Sequence, residues 1–175
     1  MNMMTTNAGR AMVVALMAVM VMVAPAQAQF EGAGTDDAES VAYLNSRAEQ
    51  GITVNIEPLG KPSPGLSHGD AMLMVVDAAF LEESMDGYVV LESDELDDEQ
   101  LKTMGADAGK LFAIIDEESL EPALVLVLVS DDDLIMIGYL GFGEGDDMMG
   151  AVMFAQDVVK DGVEADPPAG FVEVD

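Results

Sequence analysis

From Ala123 to Val129 the chain reads ALVLVLV, without a polar side chain. A strand with one wet face alternates apolar and polar residues, so an unbroken apolar run of this length calls for protein on both faces. Lys110 to Asp116 (KLFAIID) precedes it across the turn segment EESLEP, and Ser130 to Asp133 leads on to Leu134 to Leu140 (LIMIGYL). Connections this short join antiparallel neighbours, because a parallel pair needs a crossover of about a dozen residues or more. The three runs are therefore expected to form a meander with ALVLVLV inside it. Helices must cover at least one face, so the fold class expected is α+β, an antiparallel sheet with a C-terminal three-strand meander covered at least partly by helices.

The other elements follow from periodicity and punctuation. Residues 29–34 are expected to be frayed. Thr35 to about Gln50 reads as a helix, with Asp36, Asp37 and Glu39 near its positive end, Arg47 in its last turns, and Val41, Leu44 and Ala48 three and four apart. Gly51 ends it, and Ile52 to Ile56 (ITVNI) alternates as a strand does. Pro58, Gly60, Pro62, Pro64 and Gly65 make a stiffened loop. Gly69 to Leu81 satisfies both a buried helix and a bulged strand, and its alanines and methionines favour the helix. Gly87 to Glu92 (GYVVLE) reads as a strand. Ser93 precedes DELDDEQLKTM, expected as a capped helix with Leu96, Leu101 and Met104 inward; the alternative is an acidic surface loop. Asp146 or Asp147 is placed to cap a last helix running to about Val159, with Met149, Val152, Met153 and Val159 as its apolar stripe. Residues 162–175 are expected to trail as a mobile tail.

The first 28 residues have the parts of a secretory signal: a polar start with Arg10, an uncharged apolar run from Ala11 to Ala24, and Ala26 and Ala28 before a cut at Gln29. The run falls short of the ~20 apolar residues of an ordinary bilayer span; an uncleaved anchor is the alternative. Cleavage leaves residues 29–175 as a single acidic soluble domain with no stable membrane anchor, exported to the periplasm or outside a bacterial cell. The chain has no cysteine, so packing rather than disulfides must stabilise it. All 34 acidic residues lie after the leader, accompanied by Arg47, Lys61, Lys102, Lys110 and Lys160, and the whole chain carries a formal charge of -28. That balance disfavours nucleic acid and anionic lipid, whose phosphates need neutralising. It admits a cationic protein or a divalent ion as partner; the alternative is an acidic surface suited to salty surroundings.

Two carboxylate clusters stand out. Asp131, Asp132 and Asp133 fill a turn, and Glu144, Asp146 and Asp147 precede the last helix. Hard cations such as calcium or magnesium take several oxygen ligands, so each cluster is a candidate metal site, although the register of an EF-hand loop is absent. An exposed turn and a helix start rich in acid account for the same residues without a metal. Ser67, His68 and Asp70 supply the residue types of a hydrolase triad but not the elbow that presents one. With His68 the only histidine, a multi-histidine zinc site is excluded. Gly141, Gly143 and Gly145 lack the lysine of a phosphate-gripping loop and read as a strand end turning into a helix.

Leu124 to Asp147, LVLVLVSDDDLIMIGYLGFGEGDD, is a pair of strands ending in a hydrophobic strand and glycine, followed by an acidic helix start. In this segment the chain resembles the exported bacterial DUF4252 domain family. The resemblance implies a signal-bearing exported domain and carries no active residues onto these positions. The function expected is that of a non-catalytic envelope or interaction module binding a cationic partner or a divalent cation. The alternative is a divalent-cation-dependent hydrolase built on one of the two clusters. At least three carboxylates converging in a cleft favour the hydrolase or cation binding, and carboxylates dispersed over a convex face favour the interaction module.

Overall fold

The computed structural model describes residues 30–31, 38–58, 61–62, 67, 88–117, 120–130, 133–142 and 146–174. The elements, in chain order, are β1 (Phe30–Glu31), β2 (Glu39–Asn45), β3 (Gln50–Pro58), β4 (Lys61–Pro62), β5 (Tyr88–Glu95), α1 (Asp98–Met104), β6 (Ala108–Asp116), β7 (Pro122–Ser130), β8 (Asp133–Leu140), α2 (Asp146–Asp161), a 3-10 turn (Gly162–Glu164) and β9 (Val172–Glu173). Seven strands form one sheet in the order β5-β6-β7-β8-β3-β2-β9. All its pairings are antiparallel. β1 and β4 form a separate two-stranded pair. The expected meander is present as β6-β7-β8, and ALVLVLV lies inside it with Val125, Leu126, Val127, Leu128 and Val129 all buried.

The register sorts side chains onto two faces, because successive residues of a strand point opposite ways. Ile56, Ile135 and Leu128 are aligned across β3, β8 and β7, as are Val54, Ile137 and Leu126. This face packs against Ala151, Phe154, Ala155 and Val158 of α2 and against Met104 of α1 in one core cluster. Phe154 meets Tyr43 of β2 edge to face at 5.9 Å. The opposite face also buries its side chains, including Leu134, Met136, Val125, Val127, Phe112 and Ile114. Both helices belong to the first face.

Several expectations require correction. Residues 39–45 form a strand rather than part of a helix. The run Val41-Ala42-Tyr43-Leu44 fits a helical spacing, but it also fits a strand that buries both faces: Val41 and Tyr43 pack toward the helices, while Ala42 and Leu44 belong to a second cluster. The turn after it is held by Asn45, whose Oδ1 accepts from the backbone N–H groups of Arg47 and Ala48 at 3.2 and 3.3 Å. Glu49 follows in the left-handed region, with φ 56.

The expected helix of residues 94–104 begins later. β5 continues to Glu95, Ser93 lies within it, and the cap is Asp97. The Asp97 carboxylate accepts from the N–H groups of Glu99 and Gln100 at 3.0 and 2.8 Å, while Gln100 Oε1 accepts from Asp97 N–H at 2.8 Å. Gly105, at φ 75, ends the helix.

α2 keeps its expected span, but its buried stripe is Ala151, Phe154, Ala155 and Val158. Met149 and Met153 are 63% and 58% exposed. Both stripes have spacings of three and four; the buried one is the one containing the aromatic side chain that fills the space beside Tyr43. Residues 162–174, expected to trail, return to the sheet. β9 pairs with β2, Ala165 is buried, and Phe171 stacks on Phe142 at 6.0 Å. Phe30–Glu31, expected to be frayed, pairs with Lys61–Pro62. The helix expected over Gly69–Leu81 lies outside the described residues.

Candidate functional site

Asp133 opens β8 at an exposed position, paired with Ser130 and Pro58, while Asp131, Asp132 and Glu144 lie outside the described residues. Asp146 and Asp147 are the first two residues of α2, beyond the other end of β8. From first to last residue the eight-residue strand spans about 23 Å, at roughly 3.3 Å per step. Asp133 is thus set at the opposite end of β8 from Asp146 and Asp147. Ser67 is exposed, and its neighbours His68 and Asp70 lie outside the described residues. Among the described residues, no group of three His, Cys, Asp or Glu side chains is placed to hold a metal ion.

The glycine-rich segment is structural where it is described. Gly141 has φ 70, and a Cβ there would come 2.5 Å from the Glu49 carbonyl oxygen. The left-handed backbone and the missing side chain together let the end of β8 pass the β2–β3 turn. Phe142 then packs edge-on to Tyr139 at 5.1 Å. The Tyr139 hydroxyl donates to the Ala151 carbonyl at 2.8 Å, fastening the first turns of α2 to β8. Burial pushes the Tyr139 phenol well above the usual tyrosine range. Tyr43 is also pushed up, by burial and then by the carboxylates of Glu173, Asp166 and Glu164.

Polar side chains gather in two other places. On the face away from the helices, Thr53, Asn55 and Glu57 are buried at alternate positions of β3, and Asn55 Nδ2 donates to Glu57 Oε1 at 3.1 Å. Lys110, on the same face of β6, is 8% exposed and holds its ammonium 5.7 Å from the centre of the Phe112 ring. These groups are separated by β7 and β8.

The second place is the end of the sheet. β5 is an edge strand, and every residue from Leu91 to Glu95 is exposed. Glu92, Asp94 and Glu95 lie on it, and Asp97, Asp98 and Glu99 continue at exposed positions into α1. From Tyr88 to Leu101 there is no basic residue. A β-bulge falls between Val90 and Glu92, leaving Leu91 61% exposed. The arrangement offers a strong negative potential beside a row of backbone donors and acceptors that no strand pairs with among the described residues.

Sequence reading ends β5 at Glu92 and assigns the next residues to a helix, and so it misses this site. The Asp97-x-x-Gln100 capping pair was the signal for the later helix start. No local signal identifies β5 as an edge, because strand order is set by pairings between distant segments. Among the described residues, no helix is long and apolar enough to cross a membrane. No protein-family model matches the chain, and no curated protein matches it.

Proposed function

We propose that this chain is a non-catalytic interaction module, exported to the bacterial envelope or beyond, that engages a cationic partner through its acidic exterior. The observation supporting this reading is the dispersal of its carboxylates. Among the residues whose side chains are described, every Asp and Glu is exposed except Glu57, which is buried, and Asp116, which is half-buried. Carboxylates exposed across the described surface give a long-range attractive field for cations. A cationic partner relieves the mutual repulsion of this surface, so charge favours association while the paired sheet supplies a rigid frame. The leader of residues 1–28 supports export, since it has the polar start, apolar run and small-residue cleavage site of a secretory signal.

The test is a calorimetric titration of the protein with an oligolysine peptide at several salt concentrations. Saturable binding that weakens steadily as salt rises through about 0.15 M is expected, because exposed charges are screened beyond ~8 Å there. Absence of binding, together with hydrolysis of a phosphate ester that a chelator abolishes, overturns the reading in favour of the divalent-cation-dependent hydrolase.

A further inference from the structure

The geometry points to β5 as a docking strand: its outer edge takes an extended, lysine- or arginine-bearing segment of a partner protein as an additional strand of the sheet. This rests on the reading of the chain as a cation-binding module and names where and how the cation-bearing partner is held. β5 is eight residues long. Among the described residues no strand pairs with its outer side, since it stands at the end of the order β5-β6-β7-β8-β3-β2-β9. Edge strands are commonly made unattractive by shortness, proline or an inward lysine. β5 has neither proline nor lysine, and Val89 and Leu91 are 42% and 61% exposed along it.

Charge selects the occupant. A second copy of this edge would set Glu92, Asp94 and Glu95 beside their own counterparts, and like charges directly opposite one another destabilise a strand pair. A basic strand meets the reverse situation. Glu92 and Asp94 stand opposite Ala113 and Leu111 in the register with β6, and so point to the helix-bearing face. Glu95, opposite Lys110, points to the other face. Cationic residues at alternate positions of an incoming strand fall beside Glu92 and Asp94, at the ~4.5–5.5 Å Cβ separation of cross-strand pairs. Val89, opposite Ile115, is on the same face as Glu92 and Asp94 and offers an apolar contact next to the charged one. The backbone supplies affinity and the alternating side chains supply selection, as in other strand additions.

Two peptide probes separate strand addition from diffuse attraction. One is about six residues long and alternates lysine with valine, enough to lie along the edge beyond the bulge. The other has the same sequence with alternate backbone nitrogens methylated, which keeps the charge and removes donors. Residue-resolved amide exchange of the whole protein is followed with each. The unmethylated peptide is expected to bind about tenfold more tightly and to slow the outward amides among Glu92 to Glu95. The double variant Glu92→Gln, Asp94→Asn is expected to lose about tenfold in affinity for it. Because both residues are exposed, thermal unfolding of the variant is expected to match that of the parent. Equal affinity for the two peptides with unchanged exchange in β5 overturns strand addition while leaving the cation-binding module standing. Failure of both peptides to bind overturns the two together.

Discussion

β8 and β5 are both eight-residue strands of one sheet, yet they carry opposite chemistry. Every residue of β8 from Leu134 to Leu140 is buried and none is charged, whereas every residue of β5 from Leu91 to Glu95 is exposed and three are carboxylates. The sheet order accounts for the difference. β8 lies fourth of seven, between β7 and β3, with α2 packed over one face; among the described residues β5 has a single neighbour. A carboxylate at the centre of β8 would lose its water without gaining a cation, at a cost of several kcal/mol. At the edge the same group stays hydrated. Rank in the sheet, rather than strand propensity, decides what each strand presents.

The largest test of this contrast removes an apolar side chain from each region. Phe154→Ala, in the core cluster between α2 and the sheet, is expected to cost about 3–5 kcal/mol in urea unfolding, while Leu91→Ala on β5 changes stability by no more than about 0.5 kcal/mol. Comparable losses from the two would break the distinction. Gly141→Ala is expected to cost about 1–3 kcal/mol, because the new Cβ meets the Glu49 carbonyl in a left-handed backbone. A smaller loss would show that the β2–β3 turn yields.

Tyr139→Phe is expected to cost about 1 kcal/mol by deleting the bond to Ala151. The same tyrosine sets an alkaline limit. Its pKa in the folded chain is raised above the ordinary 10.0, so the unfolded chain gives up the proton first. The contribution is complete below pH 10 and declines as pH rises beyond it. The Phe variant should therefore lose stability less steeply above pH 10, with Tyr43 leaving a residual slope. The smallest effect is expected at the edge: Glu92→Gln with Asp94→Asn shifts stability by less than about 0.5 kcal/mol, and added salt erases the shift. A large loss would mean that these carboxylates support the fold.

How far the sequence reveals this structure depends on whether the determining interactions are local. The meander is legible because an all-apolar strand flanked by turns has few other solutions, and β6, β7 and β8 fall close to the runs that define them. Residues 39–45 mislead because Val41 to Leu44 are apolar at every position, which removes the alternation that distinguishes a strand buried on both faces from a helix. In α2 the period is legible and the phase is not, since Met149 and Met153 compete on paper with Phe154 and Val158. The carboxylate clusters at Asp131 to Asp133 and Glu144 to Asp147 attract notice by density. The acidic edge of β5 becomes visible only when pairing places that strand last in the sheet.

Native-state amide exchange of the unliganded protein tests the central claim, an open acidic edge, most directly. Amides of β8 are expected to exchange only through global unfolding, while β5 shows alternating behaviour, with inward amides held by β6 and outward amides among Glu92 to Glu95 exchanging orders of magnitude faster. Uniform protection of all β5 amides, at the level of β8, would mean that the edge is already covered and would contradict the account.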